Sequence, residues 1–155
     1  RAAEEINACK AAHIAVDVVP GITAAQGAAA RLGIPLTGRD TSRRLQYVTG
    51  HARSGQLPDD IDWRSLANPA TTTAIYMPVK TLNALVAKAT AEGLDPTTPS
   101  LAISRATRPD QQVVSASIAE LSAKIAEAKL PGPVLVMIGR AMANIQAAQK
   151  VAAAS

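Results

Sequence analysis

The sequence predicts an α/β protein: a three-layer sandwich in which one mixed sheet is flanked by helices. Three observations carry this expectation. Segments with helical periodicity alternate with short β-branched runs. The run PVLVMIG (133–139) is continuously apolar, as in a strand covered on both faces. The runs SLAIS (100–104) and QVVSA (112–116) are joined only by RATRPDQ, too short for a helical crossover. That pair must therefore be antiparallel, which makes the sheet mixed.

The elements follow in order. Residues 3–12, AEEINACKAA, read as the later part of a helix. VDVV (16–19) reads as a short β-branched strand ended by Pro20-Gly21. Thr23 is the expected N-cap of a helix over 24–32 that Gly33 closes. LQYVT (45–49) alternates like a strand, and 53–70 reads as loop with one helical turn near Asp62 to Leu66. TTTAIYM (71–77) is a strand. Pro78 suits the first turn of the next helix, whose apolar face carries Leu82, Leu85, Val86 and Ala89. Gly93 ends it. Ser117 and Glu120 form a candidate capping box for a helix to about Lys129. A last alanine-rich helix is expected from about Arg140.

Composition narrows the function classes. The 155 residues suffice for one domain, and 48% are hydrophobic, which argues against disorder. Phe is absent, so Ala, Val, Ile and Leu must fill the core, favouring close helix–sheet packing. No apolar run approaches the ~20 residues of a membrane helix. The single cysteine, Cys9, cannot form a disulfide within the chain, which fits a reducing, cytoplasmic setting. Its alanine-rich surroundings suggest a buried, inert thiol. With His13 and His51 the only histidines, a Cys/His metal cluster is not expected.

No two glycines stand in a Gly-x-Gly spacing, which excludes a Rossmann fingerprint and a P-loop on these residues. There is no Gly-x-Ser-x-Gly elbow. Asp59, Asp60 and Asp62 fit a solvated turn better than an acid–base pair. The net charge of +4 is concentrated in GRDTSRRLQYVTGHARSG (38–55), with Arg64 nearby. Arginine grips carboxylates and phosphates through a bidentate fork. The bland alternative is a solvated basic loop. Only Tyr47 interleaves these arginines, which weakens a nucleic-acid reading.

The order of motifs adds a resemblance. VVPGITAAQGAAARLGIPLTGRD, VTGH, TTTAIYMPVKTLNALVAKATAEGLDPTTP, ATRPDQQVV and PVLVMIGRAM together resemble the tetrapyrrole methylase family over roughly residues 1–142. RAAEE resembles the tail of the family's Gly-Arg-Gly-Gly-Glu-Glu motif, with Ala2 and Ala3 in place of glycines. The resemblance implies methyl transfer from S-adenosylmethionine to ring carbons of uroporphyrinogen III, giving precorrin-2 for sirohaem and cobalamin. S-adenosylhomocysteine would be the other product. It implies two α/β domains with the cofactor between them and a homodimer. Residues 1–155 would form the second domain. The first domain, with its Gly-x-Gly-x-Gly-Asp loop and the family's proposed acid and base residues, lies outside this chain.

By the same resemblance, Thr23, Ala24, Met77 and Ala106 match cofactor-contacting positions. A helix start offers unpaired N–H groups to a carboxylate or hydroxyl. Met77 would contact the adenine, and a small residue at 106 would let the backbone approach the adenosine. An acidic tetrapyrrole with eight carboxylates gives the basic region a purpose. Arg39, Arg43 and His51 are the candidate substrate contacts, with Arg44 and Arg53 beside them. Gly38 stands where family members often carry His, so that histidine has no counterpart here. No catalytic residue is assigned. Other readings remain open: a methylase of a different corrin precursor, of RNA or of protein; a non-catalytic binding or oligomerisation domain; and, last, a nucleic-acid binder. No membrane partner is expected.

Overall fold

The computed structural model describes residues 2–52 and 54–145. Its strands are β1 (Arg44–Thr49), β2 (Thr71–Tyr76), β3 (Pro99–Ser104), β4 (Gln112–Ser117) and β5 (Val134–Ile138). They form one sheet in the order β1-β2-β5-β3-β4. β1 and β2 are parallel, and the other pairings are antiparallel. The helices are α1 (Ala3–Ala11), α2 (Ala24–Leu32), α3 (Trp63–Ala67), α4 (Leu82–Ala91) and α5 (Ile118–Glu127), with a 3-10 turn over Arg140–Asn144. The expected three layers and mixed sheet are present.

Strand alternation divides the core. β5 is buried along its whole length at the centre of the sheet. Its Val134, Val136 and Ile138 face one cluster, with Leu82 and Leu85 of α4 and Ile118 and Leu121 of α5. Its Leu135 and Met137 face the other, with Ala25, Ala28 and Ala29 of α2 and Met142 and Ile145. Ala25 and Ala28 are fully buried, so α2 lies close on the sheet without large side chains between. The face predicted for α4 is the one buried: Leu82, Leu85 and Ala89 are inside and Val86 is half-buried.

Five local expectations are corrected. Residues 16–19 form no strand: Val18 is 70% and Val19 87% exposed, because no described residue pairs with or covers them. Pro78 does not open α4. It begins a turn in which the Thr81 N–H donates to the Pro78 carbonyl, and the helix starts at Leu82. Ser117 precedes α5, but its hydroxyl bonds the Glu120 carboxylate at 2.6 Å rather than a backbone N–H. Cys9 is half-buried, since α1 buries no residue. The chain after β5 enters a 3-10 turn, and residues 146–155 of the expected last helix lie outside the described ones.

Candidate functional site

The C-terminal ends of β2 and β3 and the start of β5 meet at one end of the sheet, as the antiparallel register requires. The N-terminus of α2 arrives at the same end. Between them lies a cavity of about 250 Å³, lined by Ala24, Tyr76, Met77, Arg105, Ala106 and Arg108 among others. Three of the four expected cofactor positions therefore share one cavity. The fourth, Thr23, adjoins Ala24 as the N-cap of α2.

The first turn of α2 shows what this cavity can hold. The Thr23 hydroxyl accepts from the Gln26 N–H, and Gln26 Oε1 accepts from the Thr23 N–H. This capping box closes two donors reciprocally. The Tyr76 hydroxyl accepts from the Ala25 N–H at 3.4 Å. Among the described residues, Ala24 is the first-turn position whose N–H has no partner, and Ala24 is one of the residues lining the cavity. One oriented donor at the positive end of a helix suits a carboxylate or hydroxyl.

Met77 follows β2 with φ 54°, a left-handed conformation that is rare for such a side chain. Its N–H donates to the Val134 carbonyl at 3.1 Å, and its side chain remains 43% exposed. Gly50 holds this corner. Its N–H donates to the Tyr76 carbonyl at 2.8 Å, and its own carbonyl accepts from the Thr81 hydroxyl. His51 follows directly, half-buried, with Nδ1 buried and without a hydrogen-bond partner among the described residues.

The loop after β3 forms the far wall. Arg105 pairs with Asp110, and Arg108 Nε lies 3.5 Å from the same carboxylate. The hydrogen bond from Arg105 holds the Asp110 carboxyl below the usual carboxylate range. A depressed folded-state value contributes stability above the ordinary value of 3.8, lost as pH falls through the lowered one. The loop is thus expected to stay closed at neutral pH and loosen in acid. NMR titration of Asp110 checks this; a midpoint at or above 3.8 would contradict it. Arg105 and Arg108 line the cavity without belonging to any position that the family resemblance marks as a contact. The signal was the pair of cations flanking Ala106.

Arg39 and Arg43 are not brought to this cavity. They precede β1, whose Arg44 pairs with Thr71 at the opposite end of β2 from Tyr76. The strand length sets the separation at roughly 17 Å. They line an open depression with Thr37, Gly38 and Ser42. Arg53 lies outside the described residues. A second cavity of about 350 Å³ also opens at the Thr71 end, with Asp95 and Arg140 at its rim, and contains none of the expected residues. Among the described residues no group of acidic, Cys or His side chains could hold a metal, and no helix is long and apolar enough to cross a membrane.

Comparison with known proteins identifies the family and the fold. The profile of the tetrapyrrole (corrin/porphyrin) methylases matches residues 1–122. The chain belongs to that family. Its relatives include a siroheme synthase of Gluconacetobacter diazotrophicus, 46% identical over 141 residues, covering 90% of this chain and 30% of the relative. A uroporphyrinogen-III C-methyltransferase of Paracoccus denitrificans is 42% identical, covering 92% of this chain and 50% of the relative. Among solved structures, the uroporphyrin-III C-methyltransferase of Thermus thermophilus in complex with S-adenosylhomocysteine superposes with a TM-score of 0.71 at 29% identity. That match covers 89% of this chain and 58% of that one. The chain thus spans half or less of the length of these two curated relatives.

Proposed function

We propose that this chain is the second α/β domain of an S-adenosylmethionine-dependent uroporphyrinogen-III C-methyltransferase. The observation that carries the reading is the convergence of Ala24, Met77 and Ala106 on one cavity with an unpaired helix N–H. S-adenosylmethionine, when bound, supplies a methyl group already activated by its sulfonium. The protein's task is then mainly orientation. Thr23 and Ala24 hold the polar end of the cofactor. Met77 packs on the base, and the Ala106 backbone admits the adenosine. The cavity is small beside the ~300 Å³ at which ligand pockets usually begin, which fits a site completed by another domain.

The exposed segment after α1 supports the same organisation. Ile14, Val16, Val18, Val19 and Ile22 are all exposed, an unusual concentration for a surface. We assign this segment to the interface with the first domain. A homodimer and a cytoplasmic location complete the reading.

His51 directly follows Gly50, which packs on Pro78, and is assigned a substrate contact at this end of the sheet. Arg39 and Arg43 act at longer range, steering a polyanion toward the cleft. Their reversal to Glu in the complete protein should raise KM at low ionic strength and leave it unchanged near ~0.5 M salt, where the Debye length falls to a few ångströms. An unchanged KM at low salt removes the role. No carboxylate or histidine lines the cavity among the described residues, so the base that takes the ring proton is not assigned to it. The direct test incubates the complete protein with methyl-labelled S-adenosylmethionine and uroporphyrinogen III. Label in the tetrapyrrole is expected; label transferred only to RNA or protein would overturn the substrate.

A further inference from the structure

The loop that forms one wall of the cavity carries two residues in the left-handed region, Arg105 and Thr107. Thr107 has φ 69°, a conformation that is a genuine outlier for a β-branched side chain. Such strain persists only where surrounding contacts fix it, and it gathers at functional sites. The contacts here are specific. The Thr107 hydroxyl donates to the Ala106 carbonyl at 2.6 Å, and its N–H donates to Gln111 Oε1 at 2.7 Å. Its methyl group enters a notch in α2. A Cβ built on Gly27 would lie 2.5 Å from that methyl.

Gly27 is otherwise costly. It sits in a helix interior, where glycine is less favourable than alanine by about 1 kcal/mol. It lies one turn beyond Thr23 and Ala24. The notch thus joins the two walls that carry Ala24 and Ala106.

We propose that the Gly27–Thr107 contact sets the width of the cofactor cavity, making both positioning residues rather than ligand contacts. This rests on the proposed cofactor site. A methyl on Gly27 would push the 105–111 loop outward, together with Ala106. Removing the Thr107 methyl at the same time would make room. Ser keeps the hydroxyl bond to the Ala106 carbonyl, so the double change moves one methyl across the contact and conserves volume.

The test is a double-mutant cycle. S-adenosylhomocysteine is titrated into the complete two-domain protein, as wild type, Gly27→Ala, Thr107→Ser and the pair. Gly27→Ala should weaken binding about tenfold, or ~1.4 kcal/mol. The pair should return to within about threefold of wild type, ~0.7 kcal/mol. Additive losses, or no loss in Gly27→Ala, overturn the proposal. Should wild type itself not bind, the cofactor reading fails instead. The cycle is then read in this chain from amide exchange at Arg105 and Arg108, whose N–H groups donate to the Pro133 and Arg105 carbonyls. Faster exchange in Gly27→Ala that the pair reverses supports the contact, and unchanged exchange overturns it. Should Gly27→Ala not fold, the pair still decides: folding and binding like wild type supports the contact, and failure overturns it.

Discussion

Gly50→Ala is expected to destabilise the chain by about 3 kcal/mol, the upper range for overpacking. A Cβ at residue 50 would lie 2.5 Å from the Pro78 Cα and 2.9 Å from its nitrogen. Both are backbone atoms, so no rotamer change relieves the clash. The strand ends would have to separate, breaking the Gly50-to-Tyr76 bond and the Thr81 hydroxyl's bond to the Gly50 carbonyl. For a chain of this length the loss corresponds to a fall in Tm of roughly 6–12 °C. Thermal unfolding followed by circular dichroism checks this. A fall below about 2 °C would mean that the β1 and β2 corners are not locked together. The corner also orients His51 and Met77, so the substitution should disturb the site even where the fold survives.

Ala106→Leu is the second large effect, and it acts on function rather than stability. Ala106 is half-buried on the wall of the cavity, outside both main core clusters' buried residues. A larger side chain there takes up space in a cavity of only about 250 Å³. In the complete protein, affinity for S-adenosylhomocysteine should fall by about 100-fold, or ~2.7 kcal/mol. Tm should move by less than about 3 °C, the equivalent of roughly 1 kcal/mol in a chain of this size. Undiminished binding would place the cofactor elsewhere. A large fall in Tm with unchanged affinity would make residue 106 a packing position alone.

Much of the fold was legible because local signals agreed with global packing. The β-branched run Thr71–Tyr76 is a strand, and the antiparallel pairing of β3 with β4 follows from the short loop alone. The capping residue Thr23 and the left-handed Gly33 bound α2 as expected. VDVV shows the limit of such reasoning. Its β propensity is real, but a strand needs a neighbour, and none of the described residues supplies one. Pro78 shows another: it suits a helix start, but a turn to Thr81 intervenes and the helix begins at Leu82.

The site was partly legible for similar reasons. Ala24, Met77 and Ala106 fall at element ends, and the sheet register brings those ends together. The arginine cluster is compact in sequence and spread out in space. β1 runs from Arg44 to Thr49, so it carries the chain away from Arg39 and Arg43 before reaching His51. Gly27 and Thr107 stand 80 positions apart, and neither pattern nor propensity links them. Their relation exists only where α2 meets the loop after β3.

On the proposed function, this chain holds half of a shared cofactor cleft. Calorimetric titration of S-adenosylhomocysteine into this 155-residue chain, beside a protein extended to include the preceding domain, tests it most directly. Binding in the extended protein with little or none in this chain is the predicted result. Equal binding in both would mean that the second domain holds the cofactor alone, and absence of binding in both would contradict the methyltransferase assignment.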